Sequence, residues 1–276
     1  MSLLMVDGRP NLDVLRERVH AAIEDIDSDD FLTLLSGLGS EMPEYLRAHL
    51  ETDHSVPSPS GITACRLDVY WRGKEREPDH KVPAYWTKRS VAGTIMEPFW
   101  HAVLQRAGLP LYRTHEAIQC GPHMRGHPDG YIAETGLLEL KDMNGWTYKR
   151  LLESQGVAYE EPRHYNQMQL YMDGAGRDWC LYFATPADPG MLQGIMRGYK
   201  AYGNEYILPL YYAEIVERRD VDVRANHARA EMIFNDQLSE TPPPREFNGE
   251  AMGKNGRPAW PCGYCAYQKS CVALYG

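Results

Sequence analysis

The sequence predicts an α/β fold, a mixed central β-sheet flanked by helices. Three observations carry the prediction. Apolar residues recur at helical spacing near the start of the chain and again over 91–107. The period then changes to short runs, alternating or rich in β-branched and aromatic residues, at 110–120, 130–133, 136–142 and 178–185. Helical patterns over 144–153 and 162–173 separate the last of these runs from the others.

Taken in order, Leu12, Leu15, Val19, Ile23 and Ile26 form an amphipathic stripe behind Asn11, which can cap a helix. A second short helix is expected after Asp30. Residues 52–60 read as a polar, proline-broken linker, after which Ser60 can cap a helix carrying Ile62, Cys65 and Val69. Ser90 opens a helix from Val91 to Ala107, closed by Gly108, which Pro98 must kink or restart. A turn at Glu134-Thr135-Gly136 folds the second and third strands into a hairpin. Residues 212–238 read as one long charged helix, ended by Pro242 to Pro244. The chain is thereby expected to divide into an acidic helical arm (1–57), a core (58–240) and a tail (241–276).

At 276 residues, 43% hydrophobic and 24% charged, the composition is that of a globular protein. No run approaches the roughly 18 to 20 apolar residues of a membrane span. The start lacks a basic region followed by an apolar core, so no secretory signal is expected and the expected compartment is the cytoplasm, host cytoplasm for a phage-encoded chain. The net charge is −9, but residues 1–60 hold 12 of the 38 acidic and only 4 of the 29 basic residues, leaving the remainder at −1. The acidity argues only against a purely electrostatic binder of nucleic acid. Of six cysteines, Cys262, Cys265 and Cys271 cluster in the tail, a spacing that favours metal over disulfides, whereas Cys120 and Cys180 sit in apolar stretches as plain buried thiols.

The chemistry concentrates in Gly126-His-Pro-Asp129-Gly130 followed by Glu139-Leu140-Lys141. Residues two apart on a strand share a face, so Glu139 and Lys141 point together. If Ala133 pairs with Leu137, Asp129 lies opposite Lys141 and beside Glu139. Converging carboxylates repel unless a divalent cation neutralises them, and phosphodiester cleavage needs such a cation, with a lysine to orient water or stabilise developing charge. Acid-apolar-base triplets also arise by chance as surface ion pairs. A third ligand can come from Glu97, ranked first, or from His101 one turn on. His164, Gln167 and Tyr171 share one helix face and can serve phosphate oxygens or a metal-bound water, or can form a half-buried amphipathic face. Trp146, Tyr148, Lys149 and Arg150 can stack on bases and hold phosphates, though a helix against the core predicts the aromatics equally well.

The order Gly-x3-Glu, Gly-x2-Asp, Glu-x-Lys, Gln-x3-Tyr resembles the RecB-like branch of the PD-(D/E)XK nucleases, from about Ser58 to the end of the chain. The resemblance implies a restriction-endonuclease-like core, Asp129 and Glu139 as ligands of magnesium or manganese, Lys141 as catalytic lysine, and Gln167 with Tyr171 as the Gln-x3-Tyr motif. Where many members carry histidine four residues after the glycine, this chain has Glu97, a form similar to phage lambda-type exonucleases. Cys65 with Cys262, Cys265 and Cys271 resembles the split framework of CRISPR-associated and AddB-type iron-sulfur nucleases. It implies a structural 4Fe-4S cluster, favoured over zinc, that ties the tail to the helix around residue 65.

These readings lead to a DNA exonuclease, with single-stranded DNA or DNA ends as substrate, in phage or mobile-element recombination. Alternatives are a prespacer-trimming nuclease of CRISPR adaptation, its acidic arm docking a recombination or integrase partner, a non-catalytic DNA-binding scaffold, and a zinc-stapled regulatory protein. The sequence leaves homo-oligomerisation open and predicts no membrane partner.

Overall fold

The computed structural model describes residues 4–26, 28–40, 58–79, 84–112, 117–187, 210–247, 261–262 and 265–275, with the main chain alone at 31 and 38 and over 84–92. Of the linker expected over 52–60, residues 52–57 lie outside the described residues.

A small hairpin, β1 (Met5–Val6) and β2 (Arg9–Pro10), leads into α1 (Leu12–Glu24). Asn11 caps α1: its side-chain oxygen accepts from the amides of Asp13 and Val14 at 3.2 and 3.3 Å. Helix α2 (Asp29–Ser40) follows. Beyond a single 3-10 turn at Pro59–Gly61 come α3 (Arg66–Gly73) and α4 (Ala84–Arg106). The last runs through Pro98 as one helix, so the proline restarts nothing.

Five strands form the main sheet: β3 (Leu111–Tyr112), β6 (Gly130–Ile132), β7 (Gly136–Met143), β8 (Trp179–Pro186) and β9 (Tyr212–Glu217), adjacent in that order. Only the β7–β8 pair is parallel, and α5 (Gly145–Glu153), α6 (Val157–Glu160) and α7 (Pro162–Ala175) make its crossover. A separate two-stranded ribbon, β4 (Ile118–Gln119) with β5 (Arg125–Gly126), precedes β6. Helices α8 (Asp220–Leu238) and α9 (Gln268–Tyr275) close the chain. The architecture is α/β with a mixed five-stranded sheet flanked by helices, as expected.

Both faces of the sheet are covered. Leu138 and Leu140 of β7, with Leu181 and Phe183 of β8, pack on Leu15 and Val19 of α1 and on Leu104 of α4. Leu137 and Met143, with Cys180 and Tyr182, pack on α5 and α7 through Tyr148, Leu151, Met168 and Tyr171. Alternation along β7 therefore feeds two cores. A third cluster joins Leu67, Tyr70 and Trp71 of α3 to Ala266, Tyr267 and Cys271 of the tail.

Five expectations change. The helix expected from Val91 begins at Ala84, so Ser90 lies inside it and does not open it. The run 110–120 is broken into β3 and β4, which belong to different sheets. The helix expected over 212–238 splits, because Tyr212–Ala213–Glu214–Ile215–Val216–Glu217 pairs with β8: Ala213 and Ile215 face the α1–α4 core, Tyr212 and Val216 the other. Cys65 stands at the N-cap of α3, and Ser60 caps nothing there, since the Ile62 and Ala64 carbonyls are taken by the Arg229 guanidinium at 2.6 and 2.9 Å. The β6–β7 turn is Ala133–Glu134–Thr135, with Ala133 at φ 50°, and Gly136 belongs to the strand. There a Cβ would come within 2.2 Å of the Trp179 ring, so glycine is what lets that ring pack.

Candidate active site

The hairpin register decides the geometry. Gly130 pairs with Leu138 and Tyr131 with Leu137, so Asp129, one residue before β6, is level with Glu139, where a register two residues further on would have set it opposite Lys141. The two-residue difference keeps every side chain on its expected face. Asp129 reaches across to β7, where its Oδ2 accepts from the Leu140 amide at 2.6 Å. That bond pins the carboxylate between Glu139 and Lys141.

Glu139 is fully buried; its Oε1 is in contact with the Lys141 ammonium, and its Oε2 has no hydrogen-bond partner among the described residues. Burial pushes the Glu139 carboxyl up to about 8; Lys141 works against this, while the negative charges of Asp129 and Glu97 add to it. For Lys141 burial disfavours the charge, but Glu139, Asp129 and Glu97 outweigh it and hold the ammonium above its ordinary value. Three carboxylates thus act on one lysine. Among the described residues no three His, Cys, Asp or Glu side chains are gathered closely enough to hold a metal ion as they stand. The donor set nevertheless fits a hard cation: all-oxygen ligands, one of them, Glu139, fully buried with its Oε2 unpartnered among the described residues.

Helix α4 brings Glu97 and His101 to the hairpin from the other side. The His101 ring is fully buried, and its Nε2 lies 2.7 Å from the main-chain carbonyl of Asp129. Gly130 permits this approach, since a Cβ there would come within 3.0 Å of the ring. That nitrogen is thereby engaged by the backbone of a candidate ligand.

From α7, Gln167 and Tyr171 are buried and joined by a Gln167 Nε2 to Tyr171 Oη bond of 3.4 Å. Burial, then the charges of Glu139 and Asp129, push the Tyr171 phenol well above its ordinary value. A Cβ at Gly126 would meet the Tyr171 ring at 2.7 Å, which explains the first residue of the Gly-x2-Asp motif sterically. His164, on the same stripe, bonds through Nδ1 to the Tyr182 hydroxyl at 2.8 Å, and burial followed by the Lys141 charge keeps it neutral.

Helix α5, opened by an Asn144 cap, carries the expected nucleic-acid residues. Trp146 is 65% exposed, whereas Tyr148 is fully buried in the second core and so is not a surface stacking group. Lys149 pairs with Glu153 at 2.5 Å and Arg150 pairs with Glu160, so each basic group carries an acidic partner.

Cys65, Cys265 and Cys271 share the apolar cluster between α3 and the tail, and none of the cysteines is in a disulfide. Burial raises the Cys262 thiol and Cys65 raises it further; Cys265 is pushed up to about 12 by burial, with Asp68, Cys65 and Cys262 adding to it against the Tyr267 amide. Cys271 likewise senses Cys65 and Cys262. The four sulfurs are electrostatic neighbours, and the Tyr267 amide already donates to the Cys265 sulfur at 3.4 Å. An all-thiol set of this kind suits soft-metal ligation.

One feature escaped the sequence reading. A pocket of about 360 Å³ abuts Lys141, lined by Thr94, Glu97 and Trp100 of α4, Leu140 and Asp142 of β7, and Phe183 and Thr185 of β8 among others. Only the parallel β7–β8 register, Leu140 with Phe183 and Asp142 with Thr185, brings the strand residues together.

No protein-family model matches the chain, and no curated protein matches it. Among solved structures it is similar to the alkaline exonuclease LHK-Exo from Laribacter hongkongensis, 18% identical over 67% of this chain and 89% of that one, with a TM-score of 0.48. It is also similar to the protein SSO0001, 14% identical over 85% and 96% of the two chains with a TM-score of 0.46. A phage-related exonuclease from Haemophilus somnus 129PT is 14% identical over 66% and 82%, with a TM-score of 0.44. Likenesses of this size fix neither family nor activity, and the functional reading rests on the site itself. Among the described residues no helix is long and apolar enough to cross a membrane.

Proposed function

We propose that the chain is a divalent-metal-dependent deoxyribonuclease that hydrolyses phosphodiester bonds at DNA ends, with single strands the preferred substrate. The observation that carries the reading is the hairpin: Asp129 level with Glu139, Lys141 in contact with Glu139 Oε1, and Glu139 Oε2 buried with no hydrogen-bond partner among the described residues. Asp129, Glu139 and Glu97 would hold magnesium or manganese. When bound, that cation polarises the phosphoryl oxygen and lowers the pKa of its water. Lys141, held protonated by three carboxylates, stabilises the charge that develops on the phosphate and orients the nucleophile. Gln167 and Tyr171, joined to each other and within the electrostatic reach of Glu139 and Asp129, would serve the phosphate oxygens or a metal-bound water, and His101 fixes the Asp129 main chain. Exposed Trp146, with Lys149 and Arg150 once released from their acidic partners, would stack on bases and hold phosphates of the strand.

Cys65, Cys262, Cys265 and Cys271 would hold a structural 4Fe-4S cluster joining the tail to α3, with residues 58–240 as the catalytic core, 1–57 as an arm and 241–276 as the tail. A brown, visible-absorbing preparation supports iron; a colourless one containing zinc removes the cluster from the reading.

End-labelled linear and circular single-stranded DNA, incubated with manganese, test the activity. Linear strands should be degraded and circles spared, and Lys141→Ala should abolish degradation. Intact linear DNA with the folded, metal-supplied wild type would refute the nuclease reading.

A further inference from the structure

The pocket beside Lys141 has a lining that phosphate chemistry alone does not require. Trp100 and Phe183 meet with ring centroids 5.3 Å apart, and Leu140 lines the space with them. Thr94, Thr185 and Asp142 supply polar groups to the same space. Of its charged members, Glu97 and Lys141 belong to the candidate catalytic site, where the phosphate would lie; the rest of the lining, aromatic, apolar and hydroxyl with Asp142, accepts a neutral heterocycle and sugar. At about 360 Å³ it stands at the low end of the roughly 300–1,000 Å³ typical of small-molecule sites, room for one nucleoside and not two.

Gly93 supports this independently. It lies inside α4 and lines the pocket, and among the described residues a Cβ added there would meet only the Asp142 Cβ, at 3.9 Å. Packing does not demand a glycine at this position, and a glycine inside a helix weakens it. What the missing side chain leaves is open space in the pocket, directly above the catalytic strand.

We propose that this pocket receives the base and sugar of the terminal nucleotide, so that its phosphodiester bond is presented to Asp129, Glu139 and Lys141. The proposal rests on the nuclease reading and deepens it: the enzyme recognises an end by holding one nucleoside, and stacking makes that recognition tolerant of base identity.

Two single strands, identical except that one lacks its terminal base, distinguish the outcomes. Stacking of one base predicts a KM for the abasic end roughly 5- to 150-fold higher. Gly93→Leu, which fills the pocket, should bring the two ends to the same raised KM while leaving manganese binding, followed by electron paramagnetic resonance, unchanged. Should Gly93→Leu fail to fold, Thr185→Leu fills the pocket from β8. Equal KM values for both ends with the wild type would overturn the proposal while leaving the nuclease reading intact. If the wild type cleaves neither strand, the nuclease reading falls, and saturation-transfer NMR with deoxyadenosine and thymidine decides the pocket by itself. Binding lost in Gly93→Leu sustains it, and no binding to the wild type overturns it.

Discussion

Replacing Arg229 with alanine removes four hydrogen bonds at once. Its guanidinium donates to the carbonyls of Ile62 and Ala64 at 2.6 and 2.9 Å and to the two oxygens of Glu246 at 3.0 and 3.1 Å. Glu246 also accepts from the Arg66 amide at 2.9 Å, and Arg66 forks onto Asp236 with two bonds of 2.6 Å. This network spans the loop before α3, helix α8 and the start of the tail, with Cys65 at its centre. A hydrogen bond from a charged group is worth about 1.5–3 kcal/mol when buried. Because the Arg229 and Glu246 side chains are 29% and 21% exposed, the lower values apply to the two carbonyl bonds. The ion pair adds about 0.5–1 kcal/mol. Arg229→Ala should therefore cost about 3.5–4 kcal/mol in urea denaturation at neutral pH, and Arg229→Lys, which keeps the charge but not the fork, about half as much.

The same network sets a pH dependence. Burial alone would raise the Glu246 carboxyl, but the Arg229 side chain and the Arg66 amide hold it below its ordinary 4.5. A depressed carboxylate contributes stability above its unfolded-state pKa and loses it as the pH falls through the folded value. The gap between wild type and Arg229→Ala should accordingly be full at neutral pH and narrow in acid below the ordinary carboxylate range. A variant within about 0.5 kcal/mol of wild type at neutral pH, or a gap that does not narrow in acid, refutes the reasoning.

Gly136→Ala drives a methyl into the Trp179 ring and should cost about 1–3 kcal/mol by the same denaturation assay, with a wild-type midpoint showing that the ring can move aside. His101→Leu deprives the Asp129 carbonyl of its partner, and manganese affinity should fall about 10- to 100-fold, as when a group orienting a ligand is lost. Unchanged affinity would mean that Asp129 is held by its bond to the Leu140 amide alone.

Local chemistry made part of this molecule readable in advance. The Asn11 cap, the strand bearing Glu139 and Lys141 and the helix bearing Gln167 and Tyr171 announce themselves within ten or fifteen residues. What misled was decided at long range. In Tyr212–Glu217, Glu214 is bound by the Val157 amide and Glu217 by Arg9, and the strand exists because β8 offers an open edge; its charges and spacing alone resemble the helix that follows. The hairpin register turned on Trp179, which occupies the space above Gly136 and makes that glycine a strand residue and not a turn residue. The local sequence around Cys65 reads as helix because nothing nearby shows that Arg229, more than 160 residues on, claims the preceding carbonyls. The pocket beside Lys141 depends on two parallel strands joined by three helices, a proximity that no window of sequence contains.

Strand β7 feeds one core through Leu138 and Leu140 and the opposite core through Leu137 and Met143, with Glu139 and Lys141 between them. A strand committed on both sides has no neutral direction in which to slide: one inserted or deleted residue would exchange the two cores and carry the carboxylate and the lysine to the wrong face together. Substitutions along β7 can thus be graded in their effect, whereas changes of length cannot. Length variation among descendants of this chain is confined by that constraint to the three-residue turn before Gly136 and to the crossover after Met143, so the spacing from Glu139 to Lys141 is as fixed a property of the protein as either residue.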